Sequence, residues 1–433
     1  MEVEEVLNQT ETVPEETQLN TEEPSVKKKD KKQVLDDELK SFEEDATVVE
    51  PKKKKYGWVG TVILLAAIAV GIYLMFSVVH DAEAKSLSEA IASSDWRWFL
   101  ATLAVLLVIM LCDWMKYVTI MRTTTGKFNL RSSLKVSLLG KFYDNVTPFA
   151  AGGQPMQIYY LHKKGFSGGI SSAVVLIRYF AQMFAWTIVG VTLMSTHTGI
   201  LSNLGDAVWE HTIMIAAWIG LAVNAFLPLM IALFALFPKL AKALTSFVVS
   251  LGAKVKIVKD KEKTMKKAEK VVSEFRAGFK IMSRNPLGFI SLMFFCLGDV
   301  VLTYALPFFV LKTFSALPEG GGILMLFSVM ALNVYAAQSV TVIPSPGNSG
   351  AMEVVVAKAF SAVASAAVLS WSVLTWRFGI YYIYIIIGIG MTIFTFIRQI
   401  VRARRAKKLE AVSTPPVEPD EAQSDITEQD KTE

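Results

Sequence analysis

Three features of this sequence point to an all-α fold: a polytopic transmembrane helical bundle with an inverted repeat and two broken, re-entrant hairpins. The chain has 433 residues, 52% of them hydrophobic, with a mean hydropathy of +0.41. Several apolar runs reach about 20 residues, the length at which a helix crosses the hydrocarbon core of a bilayer. Lys and Arg collect in alternate loops, the pattern of cytoplasmic membrane flanks. Two knots rich in proline and glycine interrupt apolar sequence, NVTPFAAGGQPMQI (Asn145 to Ile158) and QSVTVIPSPGNSGAMEV (Gln338 to Val354). Each runs from Val-Thr through prolines and glycines to a Met followed by a polar residue. Broken backbone at membrane depth is tolerated only where protein or a water-filled cavity satisfies its polar groups, and paired breaks in corresponding halves mark transporter substrate sites.

The elements follow in order. Residues 1–55 are charged and poor in aromatics, and are expected to form a disordered cytoplasmic tail with no cleavable leader. The membrane domain is expected over 56–408, and 409–433 as a second disordered, acidic tail. The net charge of +5 thus divides into acidic tails and basic membrane flanks. Lys52 to Lys55 abut the first span, Trp58 to about Val79, and place its start inside. The next loop, with His80, Asp81, Glu83, Lys85, Glu89 and Asp95, reads as outside. A second span, Trp96 to about Met115, returns, and Lys116, Arg122, Lys127, Arg131 and Lys135 read as its cytoplasmic flank. Residues 132–168 are too polar for a lipid-facing span; they begin and end on one side, as a re-entrant hairpin with Pro148 to Pro155 at its tip. A span over Ser171 to Met194 goes outward, the loop Ser195 to His211 carries no Lys or Arg, and a span over Thr212 to Phe237 comes back. The basic segment 239–285 contains Ala268, Val271, Val272, Phe275, Phe279 and Met282 at helical spacing, as an amphipathic helix on the cytoplasmic face. The second half spans outward from Pro286 to Val310. Residues 322–370 hold the second knot, as a hairpin entering from the opposite side or as two full spans. Trp371 to Ile397 returns inward and ends in Arg398, Arg402, Arg404, Arg405, Lys407 and Lys408.

Span, broken segment, span therefore occurs twice in opposite orientation. LCDWMKY (Leu111 to Tyr117) and CLGDVVLTY (Cys296 to Tyr304) each set an Asp in an apolar span, and VLIRYF (Val175 to Phe180) and LTWRFG (Leu374 to Gly379) each set an Arg in one. Ionisable residues at membrane depth are costly and functional by default. Those residues are Asp113, Lys141, Asp144, Arg178, Asp299, Glu353, Lys358 and Arg377. A guanidinium is always charged and can hold a phosphate with two parallel hydrogen bonds, which makes Arg178 and Arg377 the candidate anchors. The alternative is ion pairing across the bundle, Arg178 with Asp299 or Arg377 with Asp113. Gly152, Gly153, Gly347 and Gly350 would let backbone N–H groups approach an anion, or only let helices pack closely. Gln154, Pro155, Gln157, Pro346 and Asn348 complete the candidate lining. Tyr381, Tyr382 and Tyr384 read as interfacial anchors or packing.

Two cysteines in apolar runs and four histidines without ligand spacing exclude a disulfide framework and give no metal-binding pattern. No P-loop or nucleophile elbow is present, so no cofactor and no catalytic residue is assigned.

GKFYDNVTPFAAGGQPMQIYYLHKKG (Gly140 to Gly165), the arginine of VLIRYF, and PSPGNSGAMEVVVAKAF (Pro344 to Phe360) resemble the lysylphosphatidylglycerol synthase transmembrane, or flippase-like, family. The likeness covers about residues 56 to 405 and rests on diffuse motifs. It implies a protein that binds or translocates a phospholipid with an anionic phosphate head group, anionic or aminoacylated phosphatidylglycerol. In the family's bacterial namesake, the multiple peptide resistance factor, this activity lowers attraction for cationic peptides. The acidic N-terminal segment and the Lys-rich membrane flanks point to a bacterial inner membrane, the flanking charges place both termini in the cytoplasm, and a homo-oligomer is compatible with this reading. Lysyl transfer from lysyl-tRNA to phosphatidylglycerol is the enzymatic alternative. About 35 polar residues after the last span are too few for a tRNA-binding transferase, and acidic tails repel nucleic acid. A membrane scaffold that recruits a partner through its tails is the third reading.

Overall fold

A computed structural model describes residues 85–413, apart from 127, 167, 321 and scattered positions between 238 and 283, with side chains as far as Val401. The predicted first span, the two tails beyond these limits and most of the amphipathic helix lie outside the described residues. Every regular element among the described residues is helical. Six helices are long and apolar enough to cross a membrane.

Helix α1 (Leu87–Ala92) starts at a capping box in which Ser86 and Glu89 satisfy each other's backbone N–H. Helix α2 (Trp96–Thr125) is capped by the Asp95 side chain and stopped by Gly126 at φ 68°. It runs ten residues past the predicted end at Met115, so Lys116 is not a flank but an interior residue. The reason is electrostatic: its ammonium has carboxylate partners one turn away and on the facing helix, so the charge does not end the span.

The residues read from the sequence as the first hairpin hold two helices, α3 (Leu130–Val146) and α4 (Gly153–Lys163), separated by a break over 147–152. Pro155 sits in the first turn of α4, where its missing N–H leaves no helical bond unmade. Helices α5 (Gly168–Thr196) and α6 (Ala207–Leu236) follow, joined by a short 3₁₀ turn. Asn285 caps α7 (Pro286–Thr313), with proline at its start. Residues 322–360 form α8 (Gly322–Ser339), a break over 340–350, and α9 (Ala351–Phe360), and 366–370 already belong to the next helix. At 1.5 Å per residue, α8 rises about 27 Å and α9 only about 15 Å, half a hydrocarbon core. Helix α10 (Ala366–Arg377) passes through one π-helical turn (Phe378–Tyr382) into α11 (Ile383–Ser413). The helix continues past 409, where the sequence predicts an acidic tail.

Helices α2 and α7 form the most extensive helix pair among the described residues. They are antiparallel: Asp95 N–H donates to Thr313 O at 2.7 Å at one end, and Gly288 meets Thr123 at the other. Gly298 of α7 lies against Cys112 of α2 midway along. Their shared face, with α5 and α8, makes the core around Tyr117, Ile120, Met121, Leu292, Val300, Leu306 and Tyr335. Met282 joins it from the basic segment. Large apolar side chains such as Leu107, Ile219, Phe294 and Ile393 remain exposed on the outer helix faces, as lipid-facing surfaces require.

Candidate functional site

The antiparallel crossing of α2 and α7 brings Asp113 and Asp299 to one buried lysine. Lys116 Nζ lies 2.6 Å from Asp113 Oδ1 and 3.1 Å from Asp299 Oδ2, and donates to Gln182 Oε1 of α5 at 2.7 Å. Gln182 Nε2 donates to Asp299 at 3.1 Å, and the Ser137 hydroxyl of α3 donates to Asp113. All of these side chains are buried. An isolated charge here would cost several kcal/mol, and mutual pairing with extra hydrogen bonds offsets that cost. Neither of the cross-bundle pairs weighed as the alternative, Arg178 with Asp299 or Arg377 with Asp113, forms; Lys116 holds both aspartates.

Above this network opens a cavity of about 710 Å³. Asp113, Lys141, Asp144, Gln154, Arg178 and Asn348, all candidates from the sequence, line it, and so does Gln157. Both breaks contribute, through Phe149 to Ala151 and through Asn348. Asn224, Gln338 and Thr341 supply an uncharged polar wall, held together by Asn224 Nδ2 donating to Gln338 Oε1 at 2.7 Å and to Thr341 Oγ1 at 3.2 Å.

Arg178 is 8% exposed, and its Nε has no hydrogen-bond partner among the described residues. Its guanidinium carbon lies 5.2 Å from the centre of the Tyr117 ring, and the buried Tyr117 hydroxyl likewise has no partner among them. Lys141 lies with Nζ 5.8 Å from the Tyr384 ring centre, on the same cavity wall. Three donor side chains therefore converge on one cavity.

Arg377, its predicted counterpart, sits elsewhere. It is 3% exposed and outside the cavity lining. Nε donates to Glu353 Oε1 at 2.7 Å, and Nη2 donates to Gly347 O at 2.6 Å and Ser349 Oγ at 3.2 Å. Glu353 also accepts from Gly350 N–H at 2.6 Å. Arg377 thus braces the second break rather than facing a guest. Asp299, Pro155, Pro346, Gly347, Gly350 and Glu353 likewise lie behind the lining. The glycine amides are already taken: Gly152 N–H donates to Thr147 Oγ1 and Gly153 N–H to Asp144 Oδ1, each at 2.9 Å. The protein's own side chains occupy the positions expected for an anion.

The two breaks touch. Pro148 and Pro346 form an isolated antiparallel bridge. Tyr381, in the π turn, donates its hydroxyl to Asn145 O at 3.2 Å and to Pro346 O at 3.4 Å, while Asn145 Nδ2 donates to Tyr381 O. Of the two readings given for Tyr381, interfacial anchor or packing, its burial fits packing, and its hydrogen bonds tie the breaks together. Lys358 lies outside the cavity lining and pairs with Asp206 at 3.6 Å, both side chains partly exposed. Sequence reasoning missed Lys116, Tyr117 and Gln182; the Asp-x-x-Lys spacing of Asp113 and Lys116 was the available clue, since i and i+3 share a helix face.

Fold and exposed apolar surface define a multi-pass helical membrane protein that meets membrane lipid. Residues 64–388 match the family described as Lysylphosphatidylglycerol synthase TM region. The chain belongs to that family. It is also similar to a UPF0104 membrane protein of Archaeoglobus fulgidus, 25% identical over 310 residues, covering 67% of this chain and 85% of that protein.

Proposed function

We propose that this protein translocates a phospholipid across a cell membrane, with Arg178 as the anchor for the head-group phosphate. The observation that carries the reading is the buried Arg178, whose Nε has no hydrogen-bond partner among the described residues, lining a cavity of about 710 Å³ to which both breaks contribute. A buried donor without an acceptor costs about 1–3 kcal/mol, and more when charged, so the site is built for an acceptor that arrives with the guest. The Tyr117 hydroxyl and Lys141 ammonium supply further donors. Two charged donors and a hydroxyl together suit the phosphate of a lipid head group better than a neutral solute.

The domain doing this is the segment 56–408, in the bacterial inner membrane, with both termini cytoplasmic and the tails accessory. The short second arms α4 and α9 support re-entrant hairpins, since neither is long enough to cross. The antiparallel α2–α7 pair supports an inverted repeat. In that arrangement the two arginines exchange roles during transport. Arg178 is free while Arg377 is held by Glu353, and in the opposite state Arg377 is released toward the guest. The Pro148–Pro346 bridge closes one side of the path in the first of these states.

The test is reconstitution into liposomes with fluorescent phospholipid, following loss of outer-leaflet signal to an impermeant quencher. Wild type is expected to expose inner-leaflet label, and Arg178→Ala to slow this at least about tenfold, the worth of one charge-assisted hydrogen bond. Equal rates for wild type, variant and empty liposomes would refute the reading.

A further inference from the structure

We infer that the cavity selects a zwitterionic head group, one that joins a phosphate to a hydrogen-bonding ammonium, over a net-anionic one; this deepens the lipid reading above and rests on it. The charged side chains that line the cavity are Asp113, Asp144, Lys141 and Arg178, two of each sign. The network beneath adds Lys116 and Asp299, again one of each. Three carboxylates thus face three cations, and the formal sum is zero. At membrane depth, a net-charged complex is far more costly than a neutral one. A neutral cavity therefore takes a guest of zero net charge at the lower cost.

The cavity also offers acceptors as well as donors. Gln157 is 2% exposed; its Nε2 donates to Val136 O at 3.2 Å, which fixes the amide and leaves Oε1 buried without a donor among the described residues. Asp144 receives Gly153 N–H on Oδ1 and is a lining residue of the cavity. A phosphate alone satisfies Arg178 and Tyr117 but leaves Gln157 Oε1 and Asp144 without new donors. A primary ammonium satisfies both. A quaternary ammonium carries the charge but no N–H, so it answers Asp144 and not Gln157.

The experiment is a binding titration of the full-length detergent-solubilised protein with short-chain phospholipids of matched acyl length. The head groups are phosphoethanolamine, phosphocholine and phosphoglycerol. Phosphoethanolamine is expected to bind at least about fivefold tighter than phosphoglycerol, with phosphocholine between them. Asp144→Asn keeps the acceptor for Gly153 and is expected to shrink the preference to about twofold or less. Gln157→Met is expected to bring phosphoethanolamine and phosphocholine together without raising phosphoglycerol. Soluble glycerophosphoethanolamine binding as tightly as the lipid would overturn the lipid assignment. Equal or tighter binding of phosphoglycerol to wild type overturns the selectivity and leaves translocation standing. Failure of all three lipids to bind removes the lipid site itself and this inference with it.

Discussion

Lys116 holds Asp113 and Asp299 together at the crossing of α2 and α7. Removing one partner of a buried ion pair typically costs about 3–5 kcal/mol, because the charge left behind has neither water nor counter-ion. Lys116→Met is therefore expected to lower the thermal midpoint of the purified protein sharply, and adding Asp113→Asn with Asp299→Asn to restore most of it. An unchanged midpoint in the single variant would show that the network does not bear on stability. Arg178 behaves differently, since no carboxylate among the described residues is bonded to it and would be orphaned by its loss. Arg178→Ala is expected to leave the stability within about 1 kcal/mol of wild type, with little change in the thermal midpoint, while transport falls. Asp113, Asp144, Lys141 and Arg178 were legible in the sequence because charge inside an apolar run stands out. Lys116 was not, because a lysine after some 20 apolar residues reads as the end of a span. Only its partner on a helix 183 residues away reveals that the charge is interior.

The broken segments depend on backbone conformations that few residues adopt. Gly347 has φ 55°, and a Cβ there would collide with the Tyr381 ring. Gly126 has φ 68° with open space around it. Both Gly→Ala changes carry the left-handed penalty of about 1–2 kcal/mol, but only Gly347→Ala also displaces Tyr381 from its bonds to Asn145 and Pro346. Gly347→Ala is expected to lower the midpoint clearly more than Gly126→Ala, and equal losses would mean that the Tyr381 tie is not rigid. Proline and glycine placed both breaks in the sequence, and apolar length placed α2, α5, α6, α7 and the α10–α11 span. Charge counting left 322–370 undecided because both arrangements begin and end on the same side. The interior role of Arg377 was hidden for a similar reason: its partner Glu353 belongs to a different helix, and the π turn that aims Tyr381 has no sequence signature of its own.

Across the molecule, the contact between the breaks is where a path for lipid would open and close. Residues paired in an antiparallel bridge lie about 4.5–5.5 Å apart at Cα, within the span a disulfide covers. Pro148→Cys with Pro346→Cys is expected to cross-link on oxidation and to arrest lipid movement until reduced; Cys112 and Cys296 are buried and do not compete. Full transport by the cross-linked protein would show that the breaks need not part. The antiparallel placement of Asp113 with Asp299 was legible as a sequence likeness between LCDWMKY and CLGDVVLTY, but the unequal states of Arg178 and Arg377 were not. Two sequences that match in outline give no sign of which half is locked. The most direct observation is a density map of the full chain in lipid nanodiscs. Phosphate density is expected within hydrogen-bonding distance of the Arg178 guanidinium; a cavity holding only water, with lipid confined to the outer belt, would contradict translocation through it.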